Sequence, residues 1–113
     1  MLKMIAVAAA IGTLAAGAAF AAEPIEGRWK TASGATAQIA PCGSAFCVTL
    51  KDGKHEGKQI GRMNGSAGRY EGEITDPEND KTYNGSGTLT GDSLKMRGCV
   101  LKVLCRSQTW TRL

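Results

Sequence analysis

From Gly27 to the C-terminus, apolar and polar residues alternate over short runs, and each run stops at turn-forming residues. No window of about a dozen residues keeps an apolar stripe at helical spacing without a glycine inside it, which disfavours helices. The alternation predicts strands over about Gly27–Thr31, Ala35–Ala40, Phe46–Lys51, Lys58–Met63, Arg69–Thr75, Lys81–Leu89, Ser93–Gly98 and Arg106–Arg112. Between them stand Ser33-Gly34, Cys42-Gly43-Ser44-Ala45, Asp52-Gly53, Asn64-Gly65, Asp76-Pro77-Glu78-Asn79 and Gly91-Asp92. Glycine and asparagine tolerate positive φ and proline presets the first turn angle, so these breaks are mechanical turn signals. Eight short strands joined by tight turns imply antiparallel neighbours, and closing them into an up-and-down barrel removes exposed edges. Gly72, Gly85 and Gly87, inside the strands, allow the sharp bends that a small barrel requires.

The first segment has a different pattern. Lys3 precedes an alanine-rich apolar run from Met4 to about Phe20, followed by Ala19-Phe20-Ala21 ahead of Ala22-Glu23-Pro24. A charged start, an apolar centre and a small-x-small site make a secretory signal peptide, with cleavage expected after Ala21. The run is nearly long enough to span a bilayer, but alanine is only weakly apolar and Glu23-Pro24 follows at once. Residues 1–21 are therefore read as the signal, residues 22–113 as one β-barrel domain, and the protein as periplasmic or secreted and not membrane-spanning after cleavage.

Charge adds little. Without Lys3, thirteen Lys and Arg face ten Asp and Glu, and the positive residues are scattered singly. Nucleic-acid binders cluster such residues, so no nucleic-acid partner is expected.

Cysteine usage changes the picture more. A chain this short has a thin core, and four cysteines, Cys42, Cys47, Cys99 and Cys105, all lie after the signal. In an exported protein an even count reads as disulfides. Cys42 and Cys47 flank one hairpin loop, Cys99 and Cys105 another, and local pairing needs no assumption about how the barrel closes. Crossed pairing would constrain more chain. A zinc site using all four lacks the two-residue gap of common zinc knuckles.

Candidate chemistry is sparse. His55 is the only histidine, so no second one can build a familiar metal or catalytic site, and a solvated loop position is the expected one. The nucleophile-elbow pattern is absent. Glu71 and Glu73 share one strand face, and Asp76, Glu78 and Asp80 crowd one turn without the twelve-residue loop of a calcium site. No catalytic, cofactor or metal residues are expected, and the chain is not expected to be an enzyme.

Gly27-Arg28-Trp29 at the first strand, Pro41-Cys42-Gly43-Ser44-Ala45-Phe46-Cys47 at the second turn, Asp76-Pro77 before Lys81-Thr82-Tyr83, and Leu94-Lys95-Met96-Arg97-Gly98 before Gln108-Thr109-Trp110-Thr111-Arg112 resemble, in that order, the bacterial family called domain of unknown function 2147. The resemblance implies an exported, lipocalin-like barrel of the calycin type with no established activity. It also implies that Arg112 of the last strand stacks on Trp29 of the opening Gly-x-Trp, so that Trp29, Trp110 and Arg112 close the barrel. The chain departs from the pattern in a shorter segment between Cys47 and Ile60, in Asp80 at a usual turn glycine, and in Cys99 and Cys105.

These readings lead to a periplasmic or secreted binding module for a small apolar or amphipathic ligand. Ala35, Ala37 and the interior glycines leave room in the barrel, whereas Trp29, Tyr70, Tyr83 and Trp110 would fill it. The second reading is an envelope protein-interaction module such as a secreted-protease inhibitor, using the arm from Ala22 to Ile25. Val100, Leu101, Val103 and Leu104 are apolar for a loop and are a candidate contact surface.

Overall fold

Every expected strand forms. A computed structural model describes residues 23–100 and 104–113; the expected signal peptide lies outside the described residues, as do Leu101 and Val103. The strands are β1 (Gly27–Lys30), β2 (Thr36–Cys42), β3 (Ala45–Leu50), β4 (Gln59–Ser66), β5 (Arg69–Asp76), β6 (Lys81–Thr90), β7 (Ser93–Val100) and β8 (Leu104–Arg112). Each pairs antiparallel with the next, and β8 returns to β1 to close an eight-stranded barrel.

Alternation decides which residues fill it. The pairs Trp29–Ala37, Ile39–Val48, Met63–Gly72 and Leu94–Trp110 lie on the inner face. Trp29, Ile39, Val48, Met63, Tyr70 and Leu94 are almost fully buried. A bulge between Val48 and Thr49 inserts Ile60 beside Gly61, so consecutive residues of β4 are both buried.

The backbones of β4 and β5 approach closely at Gly72. A Cβ at Gly72 would fall on the Arg62 carbonyl oxygen and within 2.7 Å of Met63 Cα, so only glycine admits that approach.

The two rims differ because the strands are slanted. The residue row through Gly27 passes Ile39, Val48, Gly61, Ile74 and Tyr83, then Val100 one step beyond the Asn84–Cys99 pair, and meets β8 at Leu104. The ladder between β8 and β1, however, has only the pairs Trp29–Arg112 and Lys30–Thr111, continued by the Leu113 N–H donating to the Arg28 carbonyl at 3.0 Å. The upper ends of β5–β8 therefore rise as a curved wall above β1–β3, and β8 from Leu104 to Thr109 has no strand on its outer side.

Three expectations need correction. Asn64 and Gly65 are residues of β4, paired with Glu71 and Tyr70, and the reversal falls at Ala67-Gly68, both at positive φ. The β2–β3 turn contains only Gly43 and Ser44, because Cys42 pairs with Ala45 in the ladder. Val100 and Leu104 are also ladder partners, strand residues on the inner face of the raised wall and not loop residues.

Replacing Gly72 with Ala is expected to destabilise the barrel by about 3 kcal/mol or more, since backbone must move to admit the methyl. At Gly98 the nearest atom to an added Cβ is Tyr83 Cβ at 3.6 Å, and Gly98→Ala is expected to stay within about 1 kcal/mol of the parent. Urea unfolding midpoints of the two variants check the contrast.

Candidate functional site

The lower rim is sealed by the chain that precedes β1. Ile25 is completely buried, and the Trp29 indole N–H donates to its carbonyl at 3.0 Å. The Arg112 guanidinium lies 4.3 Å from the centre of the Trp29 ring and donates to the carbonyls of Glu26 at 3.1 Å and Pro24 at 2.6 Å. Gly27 leaves room for it, since a Cβ there would stand 3.0 Å from an Arg112 nitrogen. Residues 23–26 are thus folded into the barrel mouth as a plug and are not an extended arm.

Glu23 fastens the other side of the plug, accepting hydrogen bonds from Tyr70 O–H at 2.9 Å and Ala67 N–H at 3.2 Å. Burial, and then the hydrogen bond to the Glu23 carboxylate, push the Tyr70 phenol above its ordinary value of 10.0. Trp110 stands just above the seam, buried beside Leu94, its indole N–H donating to Gln108 Oε1 at 2.8 Å.

Both cysteine pairs are local and lie on the outer face. Cys42–Cys47 runs diagonally across β2 and β3 with 5.7 Å between Cα atoms, and the Arg62 guanidinium points at both sulfurs. Cys99 and Cys105 are direct ladder partners, with 4.0 Å between Cα atoms. The second bridge lies beside the Val100–Leu104 pair, where β8 lacks support from β1.

The single histidine and the acidic turn meet at the upper rim. His55 Nε2 is 3.0 Å from Glu78 Oε2, Lys54 donates to Glu78 Oε1 at 3.3 Å, and Lys58 pairs with Asp80 at 3.0 Å. Hydrogen bonds from His55 and Lys54 hold the Glu78 carboxyl below the ordinary glutamate range. Half-buried and paired, His55 helps clasp loop 51–58 to turn 77–80. Among the described residues no three His, Cys, Asp or Glu side chains converge on a metal-sized site.

What remains is the raised wall. Its inner face carries Ile74 leaning across Gly85 and Tyr83 over Gly98, both half-buried. Beside them Val100 is 40 % and Leu104 68 % exposed, and Arg106 and Gln108 are exposed too. Arg106 opposes Gly98 and Gln108 opposes Met96, which places both on the same face as buried Trp110. The inner face of the barrel is therefore buried up to Trp110 and exposed above it, along the wall formed by β5–β8. Two open grooves are present, one of about 460 Å³ running past Glu71 and Ser86 on the outer surface and one of about 420 Å³ running over the wall's edge from Glu73 and Asn84 to Tyr83 and Val100. Arg106 and Gln108 carried no signal in the sequence, where they read as ordinary polar positions of an alternating strand.

Replacing Arg112 with Lys is expected to cost about 2 kcal/mol, because one ammonium cannot stack on Trp29 and serve both carbonyls. Asp92, whose exposed carboxylate lies 3.4 Å from the same guanidinium, is expected to tolerate Asn within about 0.5 kcal/mol. Urea titrations at neutral pH measure both. The raised Tyr70 value has a definite sign: the folded state holds the phenolic proton more tightly, so this stabilisation is complete at neutral pH and is lost as pH rises past the unfolded value of 10.0. Tyr70→Phe is expected to flatten that alkaline fall in a series of unfolding curves.

No curated protein and no solved structure matches the chain. A family model matches residues 51–112, from the clasped loop through the raised wall to the seam arginine. That is more than half of the chain, which belongs to the bacterial family described as "Uncharacterized protein conserved in bacteria (DUF2147)".

Proposed function

We propose that this protein is an exported binding module that takes a small apolar or amphipathic ligand in the cleft above its packed core. One observation carries the reading: the inner-face side chains of β7 and β8 change from buried to exposed within one strand length. Trp110 is 3 % exposed and Leu104, on the same face of the same strand, is 68 % exposed. Tyr83, Val100 and Leu104 supply apolar area that a ligand would remove from water, at roughly 25 cal/mol per Å². Export is supported by the signal-like pattern of residues 1–21 and by the two disulfides, which suit an oxidising compartment.

The cleft differs from an enclosed barrel chamber. The residues that could have left such a chamber open, Ala37 among them, lie against Trp29 and Leu50, while Met63 and Tyr70 fill the centre. A ligand entering from above would rest on this floor and lean on the wall.

Purified mature protein is expected to enhance the fluorescence of the neutral apolar dye Nile red. Tyr83→Ser and Leu104→Ser are expected to weaken dye binding several-fold to about tenfold, in keeping with the loss of one partly buried apolar side chain. Absence of dye binding, together with a uniformly ligand-free species in native mass spectrometry of protein from a bacterial envelope extract, would overturn the proposal.

A further inference from the structure

We propose that the ligand of this cleft is a single-chain amphiphile with an anionic head, and that Arg106 and Gln108 recognise the head. The inference rests on the cleft reading above and adds to it a charge and an orientation.

The first support is the unpaired guanidinium. Arg106 sits on the inner face among Tyr83, Val100, Leu104 and Gly98, and none of the ion pairs among the described residues uses it. The acids nearest the upper rim are engaged elsewhere, Glu78 with Lys54 and His55, Asp80 with Lys58. Asp76, on the inner face at the top of β5, faces Lys81 across the ladder and accepts the Glu78 N–H. Tyr83, lying over Gly98, and Ile74, lying over Gly85, are the apolar side chains that neighbour Arg106 on this face.

The second support is independent and concerns Gln108. The Trp110 indole N–H can only donate, so the Gln108 amide must turn its oxygen toward it, as the 2.8 Å contact shows. The amide then presents its NH₂ group to the cleft. Arg106 and Gln108 are two residues apart on one face, roughly 6.6 Å by strand geometry, close enough to share one head group. Both offer only donors there. A carboxylate, which offers only acceptors, is their complement, and bidentate pairing with guanidinium strengthens it. Leu104 and Val100 lie beyond Arg106 toward the rim, so the head points inward and the tail runs outward over them.

Displacement of Nile red from the mature protein tests this with decanoate, decanol, decyltrimethylammonium and acetate. Decanoate is expected to displace the dye at about tenfold lower concentration than decanol, with decyltrimethylammonium weaker still and acetate inactive at the same concentrations. In Arg106→Gln the advantage of decanoate over decanol is expected to vanish while decanol and dye binding persist, and the unfolding midpoint stays put because Arg106 is exposed. Gln108→Leu is expected to reduce the advantage in part. Equal displacement by decanoate and decanol, or an undiminished preference in Arg106→Gln, overturns the head-group assignment while leaving the cleft intact. Acetate acting as well as decanoate overturns the amphiphile class. A parent protein that does not bind the dye overturns the cleft reading itself, and the inference with it.

Discussion

Closure of this barrel depends on a seam of two residue pairs. A four-residue first strand cannot hold an eight-stranded wall shut through backbone hydrogen bonds, because only Trp29 and Lys30 have partners in β8. The Arg112 side chain supplies what the ladder lacks. Stacked on Trp29 and bonded to the carbonyls of Pro24 and Glu26, it ties the last strand, the first strand and the plug together. Each of these groups requires the others: the stacking needs the ring in place, the ring is anchored through its N–H to Ile25, and Gly27 must leave space for the guanidinium. The two charge-assisted bonds to carbonyls act together with the stacking, whereas the Asp92 carboxylate is largely exposed, so the contact with Asp92 is secondary to them.

The same short seam creates the open end. Had β1 been longer, it would have covered Leu104, Arg106 and Gln108 and extended the core past Trp110. Instead β8 stands alone above the seam, supported by β7 on one side only. Cys99–Cys105 lies at that level, joining direct ladder partners next to the Val100–Leu104 pair. Loop 51–58 and turn 77–80, clasped by His55, Lys54 and Lys58, brace the opposite part of the upper rim. Stability is thus concentrated at the plugged end, where Ile25 and Trp29 are fully buried, and surface available to a partner molecule at the other.

How much of this could be read from the chain follows from which interactions are local. Asx-Gly and Asp-Pro turns mark strand ends through backbone conformations of a few residues, so all eight strands were legible within a residue or two at most ends. The end of β4 was not, because Asn64-Gly65 has the composition of a turn yet continues the ladder to Ser66. Strands β7 and β8 run two residues further than expected, because Val100 to Leu104 contains no turn former and apolar residues there satisfy a loop reading and a strand reading alike. The paired cysteines bracketed that hairpin but did not mark where its ladder stops. The seam residues were legible only through the family resemblance, since spacing alone does not bring Trp29 to Arg112. The overhang was hidden altogether: it arises from the stagger accumulated over eight pairings, a property of distant strands that no segment encodes by itself. Arg106 and Gln108 became notable only once the floor beneath them and the missing neighbour beside them were known. The plug was hidden for a related reason, because Glu23 acts through Tyr70 and Ala67, far along the chain.

The arrangement of polar and apolar groups on the wall limits what the cleft can hold. A purely apolar ligand that covers Arg106 and Gln108 removes their donors from water without replacing those hydrogen bonds, and so binds more weakly than one that supplies acceptors. A purely polar anion would pair with the donors but leave Val100 and Leu104 in water, and exposed charge pairing by itself contributes little. A molecule carrying both a head of acceptors and an apolar tail satisfies the donors near the floor and covers the aliphatic rim together. The proposed orientation follows from the order of residues along β8, in which donors at Gln108 and Arg106 come between Trp110 and Leu104. The alternation that makes β8 a strand places all four on one face, and the shortness of β1 leaves three of them uncovered.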